Sequence, residues 1–400
     1  MKIYKYILFL SPFILIAICN NKVQAQFYNN GATVSLNSNS VLTVNQTDFI
    51  HQSGDVYLNG WLGLNGNWYN NDAASKVLNT SSIGTVELTG ANQNIGGTSG
   101  SFFSNLILSG TGVKSILTAQ EVKGQLDLTD RELALKDAEV FISNAEATAI
   151  KRTTGFISSA TELSNIVRAT TVGKSYLFPT GSAIGNLYRP ILVKGAEATD
   201  RFAVALFKKD PTTNGLGTQT SFKNGLFDIN QGYYHQIKQL DGTLPAGVDV
   251  LFNSQTDGNF KELAYWDKTN WIAAKATALS GLYGDNLNAK VFKNLLNTKD
   301  FTYFVLANQT AKDDLFIPNS FSPNGDGKND KWVITALEAY PDNQVKITNR
   351  WGDEIYNMKG YNEGNAFDGR NLNEGTYYYF IKVDMNGVNK TFAGYFTLLR

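Results

Sequence analysis

The sequence feature that most constrains the fold is a set of short apolar–polar–apolar triplets that recur at a nearly fixed interval. The clearest triplets are Val86–Leu88, Leu106–Leu108 and Leu126–Leu128, each of which begins twenty positions after the one before. This alternation is typical of strands whose first and third side chains share one face. Because a period of about 20 residues is typical of solenoids, whose coils bury their apolar faces against one another, the triplets predict a parallel β-helix or β-solenoid.

The same pattern extends beyond these three triplets. Further members are Val34–Leu36, Val56–Leu58, Leu42, Leu64, Leu133–Leu135 and Val140–Ile142. The two valine triplets are separated by twenty-two positions, and so are the two single leucines, which predicts that each pair is stacked. No proline occurs between Phe13 and Phe178, as expected where backbone N–H groups donate to a ladder. An antiparallel sandwich is the competing interpretation, since hairpins also produce triplets.

Beyond residue 194 the repeat gives way to longer strand candidates separated by Gly, Asp and Asn. These candidates are Phe202–Phe207, Val248–Phe252, Leu263–Trp266 and Phe301–Leu306. Aromatic residues make up 12% of the chain and charged residues only 18%, which suits strands and turns. The sequence therefore predicts an all-β protein: a β-solenoid over residues 26–194, a middle β-sandwich over 195–310 and a C-terminal immunoglobulin-like antiparallel β-sandwich over 313–400.

The N-terminus has the three parts of an export signal. Lysines at positions 2 and 5 precede an apolar stretch over Ile7–Ile18, and Val23–Ala25 offers small residues for cleavage before Gln26. The apolar stretch is shorter than the ~20 residues of a membrane-spanning helix. Residues 1–25 are therefore predicted to be a signal peptide. No later apolar run is long enough to predict a transmembrane helix in the mature chain.

Cys19 is the only cysteine and lies at the end of the apolar stretch. Lipidation of Cys19 is an alternative interpretation, which Ile18 disfavours because a small residue is expected there. After cleavage the mature chain would have no disulfide and no cysteine ligand for a metal. The 35 basic and 35 acidic residues balance, so the charge does not indicate a nucleic-acid partner.

The C-terminal segment contains several short motifs in a defined order. They are IPNSFSPNGDGKND at 317–330, NRWG at 349–352, DGR at 368–370, GTYYY at 375–379 and GYFTLLR at 394–400. Turn residues separate alternating strands here, including a predicted hairpin at Asn386–Gly387. This arrangement predicts about seven antiparallel strands.

Taken in this order, the motifs of residues 313–400 resemble the gliding-motility-associated C-terminal domain, the type B sorting domain of type IX secretion substrates. The resemblance implies export to the periplasm, passage through an outer-membrane translocon, and either retention at the cell surface by an outer-membrane anchor protein or release. It also implies a set of residues for recognition by the translocon: Asn324, Asp326, Asn349, Arg350, Trp351, Gly352, Gly394, Tyr395 and Arg400. For Arg350 and Trp351, stacking within the domain is an alternative role.

One loop of this segment also has the composition of a calcium site. Its oxygen-bearing side chains are Asn324, Asp326, Asn329 and Asp330, interrupted by glycines at 325 and 327. Calcium prefers several oxygen ligands from a tight loop, but the bidentate glutamate of an EF-hand is missing. The alternative is a turn in which Asn and Asp bind their own backbone. The sequence leaves both interpretations open.

Residues suited to sugar binding or catalysis are few. Four tryptophans in strand candidates could bind surface glycans or fill the core: Trp61, Trp68, Trp266 and Trp271. The two histidines, His51 and His235, have no partner at metal-binding spacing. The densest acidic group occupies turn-like positions: Asp127, Asp130, Glu132 and Asp137.

These observations predict a protein that is not an enzyme. The favoured function is a secreted or cell-surface structural or adhesive protein, linked to gliding motility or attachment. The alternative is a secreted carbohydrate-active enzyme or carbohydrate-binding protein on a β-helix scaffold, which would need carboxylates gathered in a groove.

Overall fold

A computed structural model describes residues 26–73, 77–78, 81–218, 221–223, 226–309, 315–335, 337–340, 342–385 and 388–400. Strands make up 50% of the chain and helices 4%, which confirms the all-β class. The predicted signal peptide with Cys19 and the hairpin tip Asn386–Gly387 lie outside the described residues. The chain forms two compact units; the first contains the described residues up to 214 with 230–259 and 276–305, and the second contains 215–229, 260–275 and 306–400.

The first strands of the chain alternate between two parallel sheets. They are β1 (Phe27–Leu36), β2 (Val41–Val44), β3 (Phe49–Leu58), β4 (Trp61–Leu64), β5 (Trp68–Asn70), β6 (Thr85–Leu88), β7 (Gln93–Gly96), β8 (Phe102–Leu108), β9 (Lys114–Ile116), β10 (Gln120–Asp127), β11 (Glu132–Leu135), β12 (Val140–Ile142), β13 (Ile150–Lys151), β14 (Phe156–Ser159) and β15 (Ile166–Ala169). One sheet runs β1-β3-β5-β7-β9-β11-β14 and the other β2-β4-β6-β8-β10-β12-β15. The result is a β-solenoid of about 7 turns, as the triplets predicted.

The register of the sheets confirms the constant spacing of the central triplets. Val86 pairs with Leu106, and Leu106 pairs with Leu126. All three side chains are fully buried. Each coil therefore places the same part of its sequence at the same point of the solenoid interior.

One predicted pair is wrong. Leu42 pairs with Leu62, not with Leu64, although the triplets Val34–Leu36 and Val56–Leu58 are paired as predicted. The cause is a difference in turn length: four residues connect β1 to β2, whereas only two connect β3 to β4. The shorter turn reduces the spacing from twenty-two positions in one sheet to twenty in the other.

Aromatic rings form a continuous stack along one part of the solenoid. The ring of Phe27 lies 5.0 Å from that of Phe49, which stacks on Trp68 at 4.2 Å between ring centres. The Phe103 ring extends the stack as a tilted ring, with its centre 5.2 Å from that of Trp68. Since the four residues come from four successive coils, the stack joins coils that are far apart in sequence.

The strands that follow the solenoid are mostly antiparallel. They are β16 (Tyr176–Phe178), β17 (Thr180–Ser182), β18 (Leu187–Tyr188), β19 (Ile191–Lys194), β20 (Arg201–Phe207), β21 (Leu226–Ile229), β22 (Tyr234–Asp241), β23 (Ala246–Phe252), β24 (Glu262–Trp266), β25 (Trp271–Ala273), β26 (Thr277–Ser280), β27 (Ala289–Leu296) and β28 (Tyr303–Gln309). Among the described residues, the helical segments in the solenoid and in this part of the chain include the short α1 (Ser254–Asp257) and a 3₁₀ turn at Ala147–Ala149.

In the first unit, β15 pairs antiparallel with β20, which ends the parallel arrangement of this sheet, and β22 follows β20. In the other solenoid sheet, β17 still pairs parallel with β14. A separate five-stranded sheet has the order β16-β19-β23-β27-β26. In the second unit, β24 pairs with β25, and β21 pairs with the end of β28. The boundaries 26–194, 195–310 and 313–400 remain predictions, and β16 and β19, which precede residue 195, already belong to the five-stranded sheet.

A buried arginine lies where the solenoid ends. Arg168, on β15, has no exposed surface and donates hydrogen bonds to the carbonyl groups of Leu177 at 2.8 Å and Glu146 at 3.0 Å. Burial lowers the pKa of this guanidinium to about 10. The side chain thereby ties the last solenoid strand to the segments on either side of it.

A second buried polar group joins the two sheets that follow the solenoid. Arg189, which precedes β19, forms a two-point ion pair with Asp257, and the hydroxyl of Tyr233 donates to Asp257 at 2.8 Å. His235, on β22, lies 3.0 Å from the Arg189 carbonyl through Nε2. The burial of His235 lowers its pKa from 6.5 to about 4, so the neutral ring is the form that fits the fold.

This neutral histidine should make the stability of the first unit depend on pH. As pH falls from 6.5 to about 4, the unfolded chain binds a proton that the folded chain excludes. The stability is therefore fully present above this window and decreases through it, by about 3 kcal/mol in total. We expect His235→Gln, which retains a donor, to lose this part of the pH dependence in urea unfolding on both sides of the window. Equal pH dependence of the two proteins would contradict the assignment.

Candidate functional site

The C-terminal segment folds around a single described sheet. Its strands are β29 (Ser320–Phe321), β30 (Asn343–Thr348), β31 (Glu354–Lys359), β32 (Gly375–Met385) and β33 (Val388–Leu398), with 3₁₀ turns at Leu337–Ala339 and Glu363–Asn365. The sheet order is β29-β33-β32-β30-β31, with β29 parallel to β33 and the other pairs antiparallel. The described part thus has five strands where about seven were predicted, because loops and 3₁₀ turns cover the inner face of the sheet.

Trp332 is the centre of the core beneath this sheet. Its side chain is fully buried, stacks on Phe396 at 4.4 Å between ring centres and donates from Nε1 to the Pro318 carbonyl at 2.7 Å. Phe396 belongs to the terminal strand β33, and Pro318 belongs to the first motif of the segment. The indole therefore holds both ends of the domain together. No periodic pattern marks Trp332 in the sequence, because it comes directly after the polar loop of residues 324–331.

The loop that was considered for calcium is held by its own carboxylates. Both oxygens of Asp330 accept backbone hydrogen bonds, from Gly325 at 2.6 Å and Gly327 at 2.8 Å. Asp326 accepts from the Lys328 backbone at 2.7 Å. The carbonyl of Asn329 accepts from the backbone of Ser322 at 2.9 Å, whereas Asn324 accepts from the backbone of Asp326 at 3.1 Å. These bonds account for the side chains of Asn324, Asp326 and Asp330 as turn-forming groups, while Asn329 contributes through its backbone; calcium binding remains an untested prediction.

The NRWG motif forms the turn between β30 and β31. Oδ1 of Asn349 accepts from the backbone N–H groups of Trp351 at 2.9 Å and Asp353 at 3.0 Å. Gly352 has a φ of +89°, a conformation that favours glycine. Trp351 is 78% exposed, with the Arg350 guanidinium 5.3 Å from its ring centre. Asn349 and Gly352 therefore shape a turn that presents Arg350 and Trp351 to the solvent.

The last residue of the chain is bound to the loop that contains the DGR motif. Arg400 donates to the carbonyl groups of Leu372 at 2.9 Å and Gly369 at 3.2 Å. Gly369 has a φ of +59°, and a Cβ atom there would lie 2.4 Å from Leu398. The glycine thus allows the loop to approach the terminal strand, and Arg400 fixes this contact.

Gly394 and Tyr395 lie on β33 and face opposite sides of the sheet. A Cβ atom at position 394 would lie 2.5 Å from the hydroxyl of Tyr379, which is the cross-strand partner of Gly394. The glycine leaves room for this ring. Tyr395 is 63% exposed on the outer face. The structure therefore distributes the nine predicted recognition residues over the first loop, the NRWG turn, the terminal strand and Arg400 after it. Their role in recognition remains a prediction.

Asn343 is a further structural residue that the sequence analysis missed. It is 2% exposed, and its Nδ2 donates to the Tyr340 carbonyl at 2.7 Å and to the carbonyl groups of Leu337 and Tyr361 at 3.2 Å. Its Oδ1 accepts from the Tyr361 backbone at 2.7 Å. The two N–H hydrogens are shared among three carbonyl groups, so one amide contacts four backbone groups in the loops that cover the core. Only the position of this Asn before an alternating strand could have drawn attention to it.

The four candidate tryptophans differ in exposure. Trp68 and Trp271 are fully buried and belong to the core. Trp266 is partly buried and lies beside Trp271, at 5.4 Å between ring centres. Trp61 is partly exposed on the solenoid, where a Cβ atom at Gly63 would meet its ring at 2.2 Å. Its Nε1 donates to a carboxylate oxygen of Glu87 at 3.0 Å, so Trp61 lies across Gly63 in a fixed orientation.

The acidic residues near the coils are each bound locally. Asp130 pairs with the adjacent Arg131, and hydrogen bonding to Arg131 lowers the pKa of this carboxyl. Hydroxyl or backbone groups donate to the other three, Asp127, Glu132 and Asp137. Among the described residues there is no group of three or more His, Cys, Asp or Glu side chains that could hold a metal ion.

His51 lies inside the solenoid beside an acidic residue that the sequence did not connect with it. Its Nε2 is 3.6 Å from a carboxylate oxygen of Asp72, and its Nδ1 is 3.2 Å from Nδ2 of Asn29 on the preceding coil. Burial lowers the pKa of His51, against the opposing effect of Asp72. Since the imidazole has no exposed surface, it serves as part of the packed interior.

Comparison with known protein families agrees with the C-terminal motifs. Residues 315–398 match the family described as CHU_C Type IX secretion signal domain. Such a domain implies interaction with the type IX secretion system and a location at the cell surface or outside the cell. Comparisons with curated proteins and with solved structures gave no match. Where the structure describes the chain, no helix has the length and apolarity needed to cross a membrane.

The hydrogen bonds of Asp330 predict that it stabilises its loop through the backbone. Asp330→Ala should lower the free energy of unfolding by about 1–2 kcal/mol, because two N–H groups lose their acceptor. Asp368→Ala is the matched control, because Asp368 forms an ion pair with the exposed Arg370 side chain and accepts from the Arg370 backbone N–H. This variant should change the free energy of unfolding by less than about 0.5 kcal/mol. The difference in melting temperature between the two variants should be the same in calcium and in chelator. If Asp330→Ala lowered the melting temperature only in calcium, the loop would instead be a cation site.

Proposed function

We propose that this protein is a structural or adhesive component of the cell surface, exported by the type IX secretion system through its C-terminal domain. The match of residues 315–398 to a type IX secretion signal domain is the observation that carries this proposal. The β-solenoid and the sheets that follow it are then the cargo. A solenoid of about 7 turns with strands ~4.8 Å apart extends over roughly 30 Å. Its lateral surface is therefore long enough for contacts with a binding partner.

The proposed route begins with the predicted signal peptide of residues 1–25, which would direct the chain across the inner membrane. The translocon would then recognise the folded C-terminal domain in the periplasm. Retention by an outer-membrane anchor protein would place the solenoid at the cell surface, where it would take part in attachment or gliding motility. Packing of Trp332 between the first motif and the terminal strand supports recognition of a folded domain, because the motifs come together only after folding.

We also propose that the cargo acts by binding rather than by catalysis. The acidic residues near the coils are held by separate local hydrogen bonds, and both histidines are buried. Surface glycans are the proposed partners, with Trp61 as the contact residue. Its partly exposed ring lies over Gly63, and an exposed aromatic face can pack against a sugar.

Removal of residues 315–400 should stop export. In a cell with a type IX secretion system, we expect the truncated chain to accumulate in the periplasm, while the full chain reaches the surface or medium. Cell fractionation with detection by an antibody against the solenoid measures the difference. Equal amounts of soluble truncated and full-length protein in a cell that lacks the secretion system provide the control for folding. Normal secretion of the truncated chain would contradict the proposed route.

A further inference from the structure

The terminal strand β33 has a hydrogen-bonding partner along one whole side and only at its end on the other. On the first side, β32 pairs with all of its residues. On the second side, β29 pairs only with Thr397 and Leu398, where the Thr397 N–H donates to the Asn319 carbonyl at 2.8 Å. Within the described parts of the chain, no strand or bridge pairs with residues 391–395 on this side. We call residues 391–395 on this side the open edge.

The direction of the backbone groups on the open edge follows from the bond at Thr397. Successive residues of a strand direct their N–H and C=O groups to alternate sides. Since Thr397 directs these groups toward β29, Tyr395, Ala393 and Thr391 direct theirs to the same side. All three side chains are exposed. A partner strand placed there would find a regular series of donors and acceptors.

The opposite edge of the same sheet has the features that prevent strand addition, and the open edge does not. Strand β31 has six residues, a register shift in its pairing with β30 and charged residues at both ends, Glu354 and Lys359. Strand β33 has 11 residues and an unbroken register with β32. It carries no charged residue from Thr391 to Leu399. Proteins usually protect free sheet edges with charges, bulges or short strands. The difference between the two edges therefore indicates that β33 is kept available for pairing with another strand.

Exposed aromatic side chains lie beside the open edge on the outer face. Tyr395 faces Tyr378 across the strands, and Phe380 faces Ala393. Tyr378 and Phe380 are 42% and 45% exposed, which is high for aromatic residues in the middle of a sheet. An added strand would pack its outward side chains against this aromatic group. Lys382 lies at the far end of this group, across from Thr391. The residues that face Ala393 and Tyr395 are uncharged, which indicates uncharged partner side chains at these positions.

We propose that a protein of the type IX secretion system binds this domain by adding an extended, uncharged strand to the open edge of β33. The inference rests on the proposed export function, because the match to a secretion signal domain is the reason for choosing the secretion system as the partner. Backbone hydrogen bonds to Thr391, Ala393 and Tyr395 hold the added strand. The aromatic group of Tyr378, Phe380 and Tyr395 selects its side chains.

Proline substitution in the full chain tests the open edge directly. Ala393→Pro removes an N–H that points away from β32, so the existing ladder is retained. Asn357→Pro is the matched control on β31, where the Gly360–Asn343 hydrogen bond shows that the Asn357 N–H also points away from the sheet. We expect Ala393→Pro to be retained in the periplasm and Asn357→Pro to be secreted, with similar melting temperatures for the two purified proteins.

A second pair of variants covers the case in which Ala393→Pro lowers the melting temperature. Ala393→Lys places a charge on the exposed outer face of the open edge, whereas Ala393→Ser is the neutral control. Retention of the lysine variant and secretion of the serine variant support the proposal. Secretion of both the proline and the lysine variants overturns the proposed strand addition. The export function is tested separately: it stands if removal of residues 315–400 still stops export. A wild-type dimer that Ala393→Pro converts to a monomer, measured by light scattering, also overturns it, because a second copy would then occupy the edge.

Discussion

The inward side chains of each solenoid coil are buried only by the coils on either side of it. Leu106 illustrates this dependence: it is fully buried because Val86 and Leu126 lie directly above and below it in the ladder. The aromatic stack through Phe49 and Trp68 extends the same principle over four coils. A solenoid therefore needs several turns before it is stable, and each end has to be closed.

At the C-terminal end of the solenoid, a change of strand direction and a buried cation close the core. Strand β15 is parallel to β12 on one side and antiparallel to β20 on the other, so the sheet continues while the coil stops. Arg168 donates to carbonyl groups on both sides of β15. The secretion signal domain depends on a different arrangement, in which Trp332 joins the first motif to the terminal strand. Several of its motif residues, among them Gly369, Gly394 and Arg400, are explained by local packing and hydrogen bonding.

The sequence predicted the features that depend on local periodicity and missed those that depend on distant contacts. The triplet spacing predicted the β-solenoid because stacked coils repeat the same pattern. It gave the wrong partner for Leu42, since a difference of two residues in turn length has no effect on the triplets themselves. The Arg189–Asp257 pair joins residues 68 positions apart, and no local pattern marks it. The free side of β33 was equally hidden, because alternation predicts a strand but does not reveal its neighbours.

We propose that the C-terminal domain acts as the export signal for the solenoid and the sheets that follow it. The most direct measurement is the extracellular fraction of an unrelated, stably folded protein that carries a signal peptide at its N-terminus and residues 310–400 at its C-terminus. In a cell with a type IX secretion system and a matching anchor partner, this fusion should appear at the surface or in the medium, and a cell without the system should keep it in the periplasm. Periplasmic retention in both cells, with the C-terminal domain folded, would contradict the account.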